Sequence, residues 1–429
     1  MYETFHATRE RALLIGTIGH GITRYDCEDS MQELAQLADT AGAEVVDTIM
    51  HTRPRIDPAY FIGRGKSEQV ADIVREHKID VLIFDDDLSP AQAKNLEKLC
   101  DTKIIDRSGL ILDIFARRAK TREARTQVEL AQLQYLLPRL TRQWTHFSRQ
   151  VGGIGTRGPG ETQLEMDRRR VRQRISQLQK ELKKIEQQRV VRRQRREGIF
   201  KVALVGYTNV GKSTLLNALS DANVFVEDRL FATLDATVRQ LGPPANPAEK
   251  NHPTVLLIDT VGFIRKLPHH LVASFKSTLE EAREADLLLH VIDITHPLFE
   301  EQIAVVGQIL EELQLNDLPL LHVFNKVDAL QEKGLIGRLQ ETHAPAVFVS
   351  ARRGMFLDEL RSRILDFARA EEEELSVEVP LTNPALVARL HALAHVIEKY
   401  YEDHTVHIKL RASHPAAEKI RCLLTENRN

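Results

Sequence analysis

The apolar run Phe200-Lys201-Val202-Ala203-Leu204-Val205 leads into Gly206-Tyr207-Thr208-Asn209-Val210-Gly211-Lys212-Ser213, and Thr214-Leu215-Leu216-Asn217-Ala218-Leu219 follows with helical spacing. A strand, a GxxxxGK[ST] loop and a helix in that order form a phosphate-binding P-loop. Its glycines let backbone N–H groups wrap phosphates, and the helix N-terminus adds its dipole. Lys212 can reach the β and γ oxygens, while the Ser213 hydroxyl suits Mg²⁺. The candidate cradle therefore runs from Gly206 to Ser213, with Thr214 behind it.

Three further elements follow in order, each after an apolar run that reads as a strand. Asp259-Thr260-Val261-Gly262 offers a carboxylate able to hold Mg²⁺ through water, and a Gly262 N–H able to meet a γ-phosphate. Asn325-Lys326-Val327-Asp328 comes next, and Ser350-Ala351-Arg352 closes the set. All four lie at the carboxyl ends of expected strands, where open α/β sheets bind ligands. Guanine carries two adjacent donors, N1–H and the exocyclic amine, which one carboxylate such as Asp328 can accept together. Adenine has an acceptor at N1 and no amine beside it, so GTP and GDP are the expected ligands.

The surrounding chain divides by pattern. Residues 11–115 alternate short apolar runs with helical stretches, the βαβ signature of a parallel sheet. From Arg117 the strands stop. Val128, Leu130, Leu133, Leu137, Leu140 and Trp144 make one helical stripe, and five glycines fall between Gly152 and Gly160. A second helix follows, with Leu164, Val171, Ile175, Leu178, Leu182 and Ile185 at heptad spacing. Two such helices should pair antiparallel as a long hairpin. Between Ala116 and Phe200 there are 22 Lys and Arg against 8 Asp and Glu, a net of +14, which leaves −16 on the rest of the chain. That asymmetry points to an anionic partner. The candidate contacts are Arg149, Gly152, Gly153 and Arg157 near the glycine loop, and Arg168, Arg169, Arg170, Arg172 and Arg174 beside it. The bland reading is a solvated coiled coil.

After the nucleotide motifs, the acidic run Glu371 to Glu374 reads as a linker or a frayed helix end. A helix from Ala385 to Tyr400, the run TVHIKL and a last helix then make a small α+β tail. The expected architecture is an α/β multidomain chain: an N-terminal parallel α/β domain (1–115), a basic helical hairpin (116–198) with its loop at 152–160, a Rossmann-like P-loop GTPase domain (199–370) and a small α+β domain (375–429). Length agrees, since 429 residues at roughly 150 per domain exceed one core. With 42% hydrophobic and 28% charged residues, a disordered or collagenous chain is excluded. No apolar run is long enough to span a membrane, and no secretory h-region follows Met1. Cys27, Cys100 and Cys422 fit neither a disulfide framework nor a zinc site, and read as buried or half-buried thiols in a cytoplasmic protein.

With these residues in hand, the chain resembles the translation-factor-like GTPases and, more closely, the HflX family. The closer likeness rests on Phe61-Ile62-Gly63-Arg64-Gly65-Lys66, on GGIGTRGPGETQLEMDRR from Gly152 to Arg170, and on FATLDATVR together with DTVGFI. The resemblance implies a GTPase that binds the large (50S) ribosomal subunit through rRNA, directs its hairpin at the peptidyl-transferase region, and splits or rescues stalled 70S ribosomes. Competing expectations are an RNA- or tRNA-binding GTPase of assembly or modification, and a GTP-regulated protein-interaction module. A monomer is expected.

Three positions qualify the catalytic reading. Where Ras-like GTPases place a water-orienting glutamine after the DxxG element, this chain has Phe263, so hydrolysis by the protein alone should be slow. Asn209 stands where potassium-using relatives hold K⁺, although loop geometry explains an asparagine about as well. Thr237 is the expected switch threonine on Mg²⁺, with Thr233 the alternative. Lys212, Thr237 and Gly262 are thus the expected catalytic groups. Gly63-Arg64-Gly65-Lys66-Ser67 imitates a second P-loop but fails, because the first glycine of the pattern would fall on Tyr60. His391 and His395, at i,i+4 on the expected helix, lack a third metal ligand.

Overall fold

The computed structural model describes residues 9–140 except 20, 22 and 54, then 163–193, 199–220, 237–243, 253–266, 282–330, 334–370, 372–402 and 404–426. These residues fall into two compact units. One holds residues 9–140, 163–186 and 263–266, and the other holds the remainder.

In the first unit, β1 (Arg11–Ile18), β2 (Glu44–Thr52), β3 (Val81–Phe84) and β4 (Lys103–Asp106) form a parallel sheet in the order β2-β1-β3-β4. Consecutive residues Ala12 to Ile15 are buried, so both faces of β1 are covered. The covering helices are α1 (Arg24–Thr40), α2 (Arg64–His77), α3 (Pro90–Cys100) and α4 (Arg107–Arg118). Their starts are written locally. Thr23 and Asp26 make a reciprocal capping box on α1, Ser89 and Gln92 do so on α3, and the Asp106 carboxylate accepts from the Gly109 N–H on α4. Gly63, with φ +85°, precedes α2, and the Ser67 hydroxyl donates back to its carbonyl. The Arg53 guanidinium occupies the space a Cβ on Gly63 would take, so glycine is required at this helix start.

Helix α5 (Arg122–Leu136) and the 31-residue α6 (Gln163–Arg193) pair as expected. Arg174 makes a bidentate pair with Glu129 at 2.7 and 2.9 Å, and Arg122 lies 3.8 Å from Glu181. Rising numbers on one helix meet falling numbers on the other, which is the antiparallel arrangement. Along the α6 seam Leu178 is buried, and Val171, Ile175, Leu182 and Ile185 are half-buried.

The second unit is built on a six-stranded sheet of β5 (Phe200–Val205), β6 (Thr237–Gln240), β7 (Val255–Asp259), β8 (Leu287–Asp293), β9 (Leu320–Asn325) and β10 (Ala346–Phe348), in the order β10-β9-β8-β5-β7-β6. Of these, β6 alone runs antiparallel to its neighbour. Helices α7 (Lys212–Leu219), α8 (Phe299–Glu312), α9 (Leu335–Thr342) and α10 (Leu357–Ala370) accompany it.

Beyond α10 the structure corrects three expectations. Glu372 to Pro380 is strand β11, because it pairs antiparallel with Thr405–Ser413 and buries Val377 and Val379, while Glu373 and Glu374 meet Arg421, Lys409 and Arg411 at its surface. The expected helix from Ala385 to Tyr400 is α11 (Pro384–Leu393) followed by strand β12 (His395–Glu402), so His391 and His395 share no helix face. With β13 (Thr405–Ser413) and α12 (His414–Glu426), these complete a three-stranded antiparallel sheet in the order β11-β13-β12. Cys27 and Cys100 are buried as expected, whereas Cys422 is exposed. Among the described residues no helix is long and apolar enough to cross a membrane.

Candidate functional site

The parallel strands β5, β7, β9 and β10 end on one edge, and the chain leaving them carries the four motifs. Gly211 adopts φ +96°, and a Cβ there would sit 2.4 Å from the Asn325 Nδ2, so only glycine lets these two motifs touch. Asn325 is 3% exposed and spends both ends of its amide. Its Nδ2 donates to the Val210 carbonyl at 2.8 Å, and its Oδ1 accepts from the Ala351 N–H at 3.0 Å. One side chain thereby ties the P-loop to the Ser350-Ala351 turn.

Lys212 starts α7 and is 6% exposed. Its ammonium donates to the carbonyls of Gly206 at 3.0 Å and Tyr207 at 2.6 Å. Burial pushes its pKa down to about 8, against the opposing pull of Asp259. Beneath the sheet edge, His290 is 3% exposed and pushed down to about 3 by burial, then by His322 and Lys212, so it stays neutral. The Ser213 hydroxyl donates to Asp259 Oδ2 at 2.7 Å. A hydroxyl and a carboxylate brought together are hard oxygen donors of the kind Mg²⁺ takes, with water completing its shell. Thr260 is an anchor, its hydroxyl donating to the Leu204 carbonyl at 2.7 Å. Val261 is buried beside it.

Gly262 comes as close to the P-loop as backbone can. A Cβ there would lie 2.8 Å from the Lys212 Nζ and 2.8 Å from both Cα and Cγ2 of Thr208. Its position next to the lysine fits a backbone N–H that meets a terminal phosphate. Phe263 is 2% exposed, and a buried phenyl ring has no polar atom with which to hold an attacking water. Thr237 opens β6 opposite Asp259 in the ladder. Thr233 lies outside the described residues.

At the base-recognition end, Asp328 Oδ1 accepts from the Ser350 hydroxyl at 2.7 Å, and Oδ2 lies 3.2 Å from Arg353 Nε. The hydroxyl, more than the guanidinium, holds the carboxyl below the usual carboxylate range. Arg352 is exposed. Lys326 has φ +68° and donates to the Asn209 carbonyl at 3.0 Å and to Asp293 Oδ2 at 2.6 Å. Asn209 itself has φ +61°, so backbone geometry accounts for an asparagine there. Thr208 and Thr214 are half-buried, while Tyr207 and Val210 are buried and form the floor of the loop.

Two residues of this constellation were missed in the sequence. Asp293 ends the run LLLHVID, and an acid closing a buried strand on the ligand edge was the available signal. Arg353 gave none, since its role depends on a turn.

On the arm, Arg168, Arg169 and Arg172 line an open groove of about 490 Å³ with Glu165, Gln173 and Ser176. Arg168 also donates to the Leu140 carbonyl at 2.9 Å, and Arg170 is exposed. Arg174, also exposed, pairs with Glu129 across the hairpin. Trp144, Arg149, Gly152, Gly153, Arg157 and the rest of the glycine stretch lie outside the described residues.

Comparison with known proteins adds an independent line. Residues 28–116 match the family described as the GTP-binding GTPase N-terminal region, 118–196 its middle region, and 201–326 the 50S ribosome-binding GTPase family. A protein of Flavobacterium psychrophilum named GTPase HflX is 52% identical over 75% of this chain and 76% of its own length. GTPase HflX of Escherichia coli is 46% identical over 90% of each chain. Among solved structures, a GTP-binding protein of Sulfolobus solfataricus in complex with GDP is 26% identical, covering 84% of this chain and 98% of that one with a TM-score of 0.45.

Proposed function

The chain belongs to the HflX family of GTPases and is a GTP-hydrolysing enzyme, and from this premise we propose that it works on the ribosome, docking on the large subunit and separating stalled or idle 70S particles. The observation that carries the reading is that one chain holds both a complete set of P-loop motifs and the helix α6, whose Arg168, Arg169 and Arg172 line an open groove. Guanidinium rows of this kind suit RNA phosphates, and the relatives matched over residues 201–326 are described as 50S ribosome-binding.

In this reading Lys212 and the N–H groups of Asn209 to Ser213 hold the phosphates, Gly262 meets the γ-phosphate, and Asp328 takes the guanine edge. Ser213, Thr237 (with Thr233 the alternative) and Asp259 through water would hold Mg²⁺, which would neutralise phosphate charge. Asn209 is the candidate K⁺ ligand. Phe263 leaves the water-orienting role to the ribosome. Arg149, Gly152, Gly153 and Arg157 carry the loop to the reactive centre of the large subunit.

Sedimentation with purified 50S, 30S and 70S particles tests the partner, and light scattering of 70S particles with GTP tests splitting. GTP-dependent co-sedimentation with 50S and a fall in scattering are expected. Binding to free tRNA or to an acidic protein, with none to 50S, would favour the competing expectations.

A further inference from the structure

Within the first unit, α3, β4, α4 and α5 enclose a cavity of about 370 Å³ at the foot of the arm. It shares no residue with the nucleotide motifs. Leu88, Ala93, Ile104, Ile105, Leu112 and Leu136 give it an apolar lining. One carboxylate joins its walls. Asp106, 2% exposed, accepts on Oδ1 from the Gly109 N–H at 2.9 Å and the Tyr135 hydroxyl at 2.7 Å, and on Oδ2 from the Leu88 N–H at 3.2 Å and Arg139 Nη2 at 2.7 Å. Arg139 also donates to the Leu88 carbonyl at 2.8 Å and lies 3.6 Å above the Tyr135 ring centroid. With β4, α4 and α5 tied to one point, the space between them is held open, as it is in preformed ligand sites.

Two carboxyls line this apolar space with little to answer them. Glu97 on α3 has no hydrogen-bond or ion-pair partner among the described residues, and burial raises its pKa with no cation opposing the shift. Asp113 on α4 is raised by burial as well, by more than Lys103 and Arg117 lower it. The cations of the lining are placed or engaged elsewhere. Lys94 and Lys103 are exposed, Lys103 Nζ lies 3.5 Å from Glu10, and Arg139 is spent on Asp106. A half-buried carboxylate without a partner carries a desolvation cost that an incoming cation offsets, so the cavity favours a ligand ammonium over a ligand carboxylate.

We propose that this cavity is a binding site for a small organic amine, with its apolar body against Ile104, Leu112 and Leu136 and its ammonium on Glu97, where Asp113 adds to the field. The volume lies at the small end of the roughly 300 to 1,000 Å³ typical of ligand pockets, which suits a body of one or two rings. An occupant would touch α5 through Gln132, Tyr135 and Leu136, so binding also tightens the first helix of the arm on the N-terminal sheet. The site stands whether or not the ribosome is the partner.

The test is calorimetric titration of the full chain, saturated with Mg·GDP so that the nucleotide site is filled, with three probes of similar shape: tryptamine, a cation; tryptophol, neutral; and indole-3-acetate, an anion. Tryptamine should bind about tenfold more tightly than tryptophol, a ratio between those of exposed and buried ion pairs, and indole-3-acetate should bind least. Glu97→Gln keeps the shape and removes the charge, so tryptamine should weaken to the level of tryptophol while tryptophol is unchanged. Asp113→Asn should weaken tryptamine by less. Ala93→Phe fills the cavity and should abolish binding of all three with GDP affinity intact. Should that variant fold poorly, amide exchange in the wild type decides the same point, slowing over Gln132 to Arg139 with tryptamine and not with indole-3-acetate. Tryptamine binding no tighter than tryptophol, or unmoved by Glu97→Gln, would overturn the amine assignment, and a preference for indole-3-acetate would overturn it equally. Binding of none of the probes, binding that survives Ala93→Phe, or unchanged exchange over Gln132 to Arg139 would remove the site altogether.

Discussion

Nucleotide binding should take up a proton, at a pH set by the burial of one lysine. The Lys212 ammonium is buried against two backbone carbonyls, and burial depresses its pKa to about 8. A diphosphate placed on the P-loop adds two or more negative charges within reach and favours the charged form, so the bound pKa must rise. The sign follows: below pH 8 the lysine is already protonated and affinity is flat, and above it every bound nucleotide must recruit a proton, so affinity falls. With a free pKa near 8, uptake should be about 0.1 proton at pH 7, about 0.5 at pH 8 and about 0.9 at pH 9. Affinity should accordingly drop towards tenfold per pH unit at the top of that range. His290 adds nothing, since it is neutral throughout. The assay is calorimetric titration with Mg·GDP in two buffers of different ionisation enthalpy at each pH, where the difference in apparent heat reports the proton count. GDP is chosen so that no hydrolysis intrudes. No uptake at pH 8 or pH 9 would refute the reasoning, because it would mean that Lys212 is fully charged in the empty site or does not meet the phosphates.

Other consequences concern the base, the hinge of the site, the arm and turnover. Asp328→Asn should erase guanine selectivity, which paired hydrogen bonds typically set at about 10⁴-fold, and competition of ATP against labelled GDP reads it directly. Asn325→Ala removes the tie between the Val210 carbonyl and the Ala351 N–H, so it should weaken inorganic pyrophosphate as well as GDP, whereas Asp328→Asn should leave pyrophosphate unaffected. Changing Arg168, Arg169, Arg170 and Arg172 to Gln should reduce 50S affinity and lower its salt slope by roughly 0.7 to 0.9 for each phosphate no longer neutralised, while Arg174→Gln should alter hairpin stability, by under about 1 kcal/mol for a half-exposed pair, and leave the slope unchanged. With Phe263 in place of a polar residue, phosphate release by the protein alone should be slow and rise with 50S subunits, up to about 10⁵-fold if the ribosome completes the site. Replacing K⁺ by Na⁺ in that assay should slow release if Asn209 holds a cation, and an equal rate would remove that role.

Much of the fold was legible because its elements declare themselves locally. Strands covered on both faces appear as unbroken apolar runs, as Ala12 to Ile15 and Val202 to Val205 do, and the caps Thr23, Ser89 and Asp106 mark where helices begin. The errors cluster in the C-terminal sheet, where local pattern and long-range pairing disagree. Glu372 to Glu374 look like a solvated run until Arg411, Lys409 and Arg421 arrive from distant stretches of the chain. His395 to Glu402 continues the apolar spacing of α11, yet it is rich in aromatic and β-branched residues and pairs with β13 as an edge strand, leaving Tyr400 and Tyr401 more than half exposed.

The candidate site divides along the same line. Residues that would touch the nucleotide come from four short motifs, each readable because phosphate, Mg²⁺ and guanine impose residue types at fixed spacing. Residues that hold those groups in place obey no spacing. Asp293 fixes Lys326 from the end of a different strand, and the Asn209 carbonyl fixes it from the P-loop. Asn325, read as part of the base-recognition motif, spends its whole amide on joining two loops. Arg174, counted among five equivalent arginines, is distinguished only by Glu129 on the facing helix. Chemistry toward a ligand is therefore a local property of this sequence, and the electrostatics that positions the chemistry is not. That difference is why a mutation at Asp328 or Lys212 can be reasoned from the motif, whereas one at Asp293 or Arg174 can be reasoned only from the fold.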